Sequence, residues 1–155
     1  MAVPLLRDFR PGDQPSFRQL NEEWISRYFT LEPADLKALD HPEEYILEPG
    51  GCILLVEVAG QVVGTCALIK VADGRSYELA KMAVSPAAQG QQLGYLLGQA
   101  AVQRGRELGG TRVYLESNST LGPALNLYRK LGFKDLAQPN PSPYARADVQ
   151  MELLL

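Results

Sequence analysis

The sequence predicts an α/β (α+β) fold: one domain with a mixed, mostly antiparallel sheet flanked by helices. Three observations carry that prediction. Runs rich in β-branched residues, at Cys52–Val58, Val62–Val71 and Ser76–Val84, follow one another across the short turns Ala59-Gly60-Gln61 and Ala72-Asp73-Gly74, as antiparallel neighbours do. Stretches on either side of them switch to the helical period. The chain's 155 residues fall within the roughly 100–200 that one domain occupies.

In order, a strand is expected around Val3 to Phe9, turned by Pro11-Gly12-Asp13. Phe17, Leu20, Trp24, Ile25 and Tyr28 then recur at helical spacing, and a second helical stretch covers Asp35 to Leu39. A turn at His41-Pro42 leads through Pro49-Gly50-Gly51 into the three-strand meander. Beyond Val84, Leu93, Leu96, Leu97, Ala100, Ala101 and Leu108 share one stripe of a long helix, which Gly109-Gly110 ends because glycine enters the left-handed region without a steric penalty. Arg112–Glu116 reads as a strand and Leu121–Leu131 as a short helix stopped by Gly132. Further strands follow from Phe133 and from Ala147 to Leu153. Pro139-Asn140-Pro141-Ser142-Pro143 reads as a loop, since its prolines lack backbone donors.

Composition excludes several functions. Fifteen Lys and Arg against eighteen Asp and Glu leave a net charge of −3, which argues against a protein that grips nucleic acid by neutralising phosphates. Apolar runs such as Ile53–Val56 stop far short of the roughly 20 residues that cross a bilayer, so no membrane partner is expected. Met1 to Asp8 lacks the basic start and apolar core of a signal peptide. Cys52 and Cys66 lie far apart in strand-like segments, and His41 is the only histidine. No metal site or disulfide is therefore expected; the cysteines read as small buried apolar residues, His41 as exposed, and the cytoplasm as the location.

The segment from Met82 to Tyr95 holds the chemistry. A strand ends at Val84, Pro86 breaks the ladder, and a loop carrying Gly90 leads into the long helix near Gly94. A helix start presents free N–H groups and about half a positive charge, so it holds a phosphate without lysines. Neither the G-x-x-x-x-G-K-S/T loop nor G-x-G-x-x-G is present. The loop alone leaves two readings open: phosphate binding, or glycines that serve a tight turn and close helix packing.

The loop resembles the acyl-CoA signature of the GNAT superfamily of N-acetyltransferases, Arg/Gln-x-x-Gly-x-Gly/Ala, read as Gln89-x-x-Gln92-x-Gly94. Gln92 stands where the family has its middle glycine, and its backbone N–H remains a donor. A second stretch, Leu115-Glu116-Ser117-Asn118 followed by Ala124 to Phe133 with Tyr128 and Gly132-Phe133, is similar to the family's strand, helix and A-x-x-x-Y-x-x-x-G-F ending. The resemblance implies fourth and fifth strands that splay apart around acyl-CoA. It implies transfer of an acetyl or other acyl group from acetyl-CoA to a primary amine of a small molecule or peptide, by direct attack and without a metal. The cofactor seat would comprise Gln89, Gly90, Gln91, Gln92, Leu93, Gly94 and Tyr95, with main-chain groups of Met82, Ala83 and Val84 stabilising the oxyanion.

An amine near its ordinary pKa of ~10.4 must lose a proton before it attacks. Glu78 is the candidate base; period-2 alternation places it on one face with Ala80, Met82 and Val84. The alternative is a solvated strand carboxylate. By resemblance, Tyr128 protonates the departing thiolate, or else only packs beside Leu127 and Leu131. Asn118 either pairs with the pantetheine amides or serves a turn or helix cap. Trp24, Tyr28, Phe29, Glu32, Tyr144 and Arg146 are candidate acceptor-pocket residues, although Trp24 and Tyr28 at i, i+4 read first as core packing. The functional alternatives are a non-catalytic acyl-CoA sensor or regulatory protein, and an interaction domain whose glycines only shape turns. Monomer and homodimer both remain open.

Overall fold

The computed structural model describes residues 2–137 and 139–155. Strand β1 (Leu5–Asp8) leads through a 3-10 turn at Pro11–Asp13 to helices α1 (Gln14–Tyr28) and α2 (Pro33–Asp40). A π-helical turn at Glu43–Leu47 precedes the meander β2 (Cys52–Val58), β3 (Gln61–Lys70) and β4 (Ser76–Val84). After a 3-10 turn at Pro86–Ala88 come α3 (Leu93–Glu107), β5 (Arg112–Ser117), α4 (Gly122–Leu131), β6 (Lys134–Asp135) and β7 (Val149–Leu154). The seven strands form one sheet in the order β1-β2-β3-β4-β5-β7-β6. Every pairing is antiparallel except β4 with β5. This is the mixed, helix-flanked sheet that the sequence predicts.

Two apolar cores form because the central strands are buried on both faces. On β2, Cys52, Leu54 and Val56 face α3 and α4, while Ile53 and Leu55 face α1 and α2. The first core takes Leu93, Leu97 and Ala101 from one stripe of α3, and the second takes Phe17 of α1 and Leu39 of α2. Gly98 lets α3 approach α4: a Cβ there would sit 2.5 Å from Leu131 Cδ1, closer than two carbon atoms pack. Both cysteines are free and buried, and burial raises their thiol pKa values. His41 is exposed at the end of α2. No described helix is long and apolar enough to cross a membrane.

The structure corrects one inference from strand alternation. Ala67 pairs with Ala80 and Thr65 with Ala83, so Lys81 and Met82 together oppose the single position of Cys66. This bulge breaks the period of two. Glu78 and Ala80 therefore lie on the α1–α2 side, and Met82 and Val84 pack against the α3–α4 core. The four do not share a face. The π-helical turn at Glu43–Leu47 is a second departure, because one short turn shows no periodicity in sequence.

Candidate functional site

The site lies where the sheet opens. Strands β4 and β5 pair only through Ser76–Arg112, Tyr77–Val113 and Glu78–Tyr114, and then diverge. At the bulge Lys81 takes φ +53°, a left-handed conformation that a lysine adopts only when its surroundings hold it there. Beyond Glu78, the β5-facing edge of β4 has no strand partner, so its main-chain groups border an open gap.

The loop after β4 ends in a nest of backbone donors. Gly90 has φ +84° and Gln92 φ +59°, and α3 starts at Leu93 with no side-chain cap. Among the described residues, no acceptor takes the N–H groups of residues 90 to 95; the first bonded amide is that of Leu96, which donates to the Gln92 carbonyl at 3.1 Å. No acidic side chain occupies the first turn of α3, and Lys130 Nζ stands 4.5 Å from the centre of the Tyr95 ring. Donors, the helix dipole and a nearby cation all favour an anion here. The left-handed Gln92 explains why glycine suits this position: a side chain there costs about 1–2 kcal/mol of backbone strain. Gly94 serves both readings left open by the sequence. It exposes its amide at the helix start, and its missing Cβ would lie 3.3 Å from Leu127 Cδ2.

Two hollows meet at the split. An outer cleft of about 440 Å³ runs from Gln89, Gly90 and Gly94 past Val84 to Leu127. An inner chamber of about 100 Å³ is bordered by Glu78, Glu116, Phe29 and Tyr144. Trp24, Met82, Leu121 and Tyr128 line both and mark the junction.

Glu78 stands beside the inner chamber, partly buried, and no donor among the described residues reaches its carboxylate. Burial, and then the neighbouring Glu116 charge, push its pKa up to about 7 against an opposing pull from Lys81. A carboxyl with a pKa there can take up and release a proton at neutral pH. Glu116 accepts from Tyr114 Oη at 2.7 Å, Ser142 Oγ at 2.9 Å and Gln150 Nε2 at 3.1 Å. At the junction, burial pushes the Tyr128 phenol up to about 12, so at neutral pH it holds the proton that a general acid must carry.

A charge network forms the far wall. Asp35 on α2 is fully buried; it accepts from Lys81 Nζ at 2.6 Å and from both terminal nitrogens of Arg146 at 2.7 Å. Burial alone would raise the Asp35 pKa, but the Arg146 hydrogen bonds and Lys81 bring it down to about 2. Arg146 also bonds Glu32 at 3.1 Å, and Lys81 reaches Tyr144 Oη at 3.1 Å. The bond to Asp35 gives Lys81 an anchor for its left-handed backbone.

The candidate residues fall into three groups. Met82, Ala83, Val84 and residues 89 to 95 border the outer cleft or its helix start, though the Leu93 and Ala83 side chains are buried and only their main chains are available to a ligand. Glu78, Tyr128, Phe29, Tyr144 and Arg146 converge on the inner chamber, with Glu32 behind Arg146. Asn118 borders the chamber, but its side chain donates to the Arg146 carbonyl at 2.7 Å and accepts from Thr120 N at 2.9 Å and Oγ1 at 2.6 Å. These bonds give it the turn role that the sequence offered as one of its two readings. The core-packing reading of Trp24 and Tyr28 is also corrected: Tyr28 is 49% exposed, the two rings pair at 5.2 Å, and both line the outer cleft. Sequence reasoning missed Asp35, Lys81 and Glu116; only Glu116 carries a signal, since it alternates onto one face with Tyr114, the partner of Glu78. Among the described residues, no group of three or more His, Cys, Asp or Glu is placed to hold a metal.

A split mixed sheet of this kind is the fold of acetyltransferases. An acetyltransferase from Staphylococcus aureus superposes with a TM-score of 0.87 at 18% identity, covering 98% of this chain and 99% of the other. YncA of Salmonella typhimurium, an acetyltransferase solved with its cofactor acetyl-CoA, superposes with a TM-score of 0.76 at 19% identity over 99% and 94% of the chains. The chain belongs to the acetyltransferase (GNAT) family, whose model matches residues 17–133. It is 30% identical over 142 residues to the N-acetyltransferase YjgM of Escherichia coli, covering 86% of this chain and 83% of that protein. It is 32% identical to the mycothiol acetyltransferase of Pseudarthrobacter chlorophenolicus over 83% of this chain and 42% of that protein. Family membership supports acetyl transfer from acetyl-CoA as its class of activity.

Proposed function

We propose that this chain transfers an acetyl group from acetyl-CoA to the primary amine of a small molecule or peptide by direct attack. The observation that carries the proposal is the meeting of the two hollows at Met82 and Tyr128, one leading to unpaired backbone donors and the other to a carboxylate poised near neutrality. The N–H groups of residues 90 to 95 would receive the coenzyme diphosphate, and the open edge of β4 at Met82 to Val84 would receive the thioester carbonyl. Glu78 takes the proton of the incoming ammonium, directly or through water. The neutral nitrogen attacks the thioester carbon; the C–N bond forms, the C–S bond breaks, Tyr128 gives its proton to the departing sulfur, and the surplus proton shed by the new amide nitrogen returns, through water, to the Tyr128 oxygen. The two buried free thiols support a reducing compartment, and we place the protein in the cytoplasm.

The test pairs calorimetric binding of CoA with thiol release from acetyl-CoA across a panel of amines. The expected result is binding together with acceptor-dependent release. Binding without release would replace the enzyme by a sensor, and absence of binding would leave only an interaction domain.

A further inference from the structure

The inner chamber shows which charges are still free to meet a ligand. Both of its cations are already engaged. The two terminal nitrogens of Arg146 bond Asp35 and Glu32, and Lys81 Nζ bonds Asp35 and Tyr144. The Lys81–Asp35 pair is sealed from water, its side chains 3% and 0% exposed, and Arg146 and Glu32 are partly buried at 18% and 19%. The carboxylates are not balanced in the same way. Glu78 has no hydrogen-bond donor among the described residues, and Glu116 accepts only from the neutral Tyr114, Ser142 and Gln150. Two carboxylates, Glu78 and Glu116, therefore line the chamber without a cation bonded to them, while its two cations are matched by Asp35 and Glu32, which do not line it; much of the remaining wall is the apolar Trp24, Phe29 and Met82.

We propose, resting on the acetyl-transfer reading above, that the acceptor is an amine with no carboxylate beside its reacting nitrogen, and that the chamber rejects free amino acids. An ammonium entering the chamber meets Glu78 and moderates its repulsion with Glu116. A carboxylate entering with it finds both cations paired and adds like charge in a partly desolvated space. A site that leaves a buried charge uncompensated discriminates more steeply than one that merely lacks contact area. The selectivity comes from Asp35 and Glu32, which hold the two cations away from the substrate.

The experiment compares kcat/KM for matched pairs that differ by one carboxylate: tyramine with tyrosine, phenethylamine with phenylalanine, and agmatine with arginine. The expected result is a preference of tenfold or more for the amine in every pair that reacts; a smaller preference, or the reverse, overturns the proposal. Glu32→Gln loosens Arg146 and should lower that preference at least threefold, and an unchanged preference overturns the part assigned to the paired cations. If CoA binds and no amine releases thiol, the acetyl-transfer reading fails by itself. Calorimetry of the same pairs on the CoA-loaded protein then decides the charge proposal: tighter binding of the amines upholds it, and equal, inverse or absent binding overturns it.

Discussion

The outer cleft is built from main-chain groups, whereas the inner chamber is built from charged side chains drawn from distant parts of the chain. In the first, the ligand-facing donors are amides of residues 90 to 95, set by the loop and by the start of α3. In the second, Asp35 of α2, Lys81 of β4 and Arg146 of the loop before β7 meet in one cluster. The difference teaches where variation is tolerated. A backbone cradle constrains φ and excludes proline but accepts glutamine at position 92, while a sealed ion cluster fails when any one partner is removed.

The largest effect should come from breaking that cluster. Asp35→Ala leaves the buried Lys81 and the partly buried Arg146 without their shared carboxylate and should lower unfolding stability by about 3–5 kcal/mol. Urea unfolding measures it, and a loss under about 1 kcal/mol would show that the chamber tolerates change as the cradle does. At the junction, Tyr128→Phe keeps the ring and removes the proton donor. Turnover should fall about a hundredfold while CoA affinity moves less than threefold; equal turnover removes Tyr128 as the acid.

Glu78→Gln separates the two regions further. It should abolish the rise in kcat/KM through about pH 7 and leave CoA binding intact. The same variant reports on stability. The Glu78 carboxyl titrates near 4.5 when unfolded and about 7 when folded, so the folded state binds the extra proton between those values. Stability therefore falls as pH rises through that window, and the penalty is complete above the folded value. Removing the charge should stabilise the protein at pH 8 by on the order of 1–3 kcal/mol, with little effect at pH 4. A pH-independent difference would contradict the assignment. The smallest effect belongs to the cradle: Gln92→Gly relieves the left-handed strain and should add about 1 kcal/mol to stability, with CoA affinity within threefold. A loss of stability would mean that the Gln92 side chain contributes more than its backbone strain costs.

The same contrast decides how much was legible in the sequence. The meander strands β2 and β4 end where the sequence places them, because period-2 runs and glycine turns are local signals. The cradle is local too; a strand end, Pro86, Gly90 and a helix stripe fall within a few residues. The chamber is not local. Nothing near Lys81 announces a left-handed lysine, and that bulge carries Met82 and Val84 to the face opposite Glu78. Asp35 and Arg146 are separated by 111 positions, and neither lies in a motif. Trp24 and Tyr28 have core spacing but line a cleft, since helical period identifies a stripe without saying what it faces.

The central claim is that backbone donors receive the diphosphate, and amide NMR of nitrogen-15-labelled protein tests it most directly. CoA should move the N–H resonances of residues 90 to 95, while pantetheine, which lacks the diphosphate, should leave them in place. Equal shifts with both ligands, or no shift with CoA at saturation, would contradict the account.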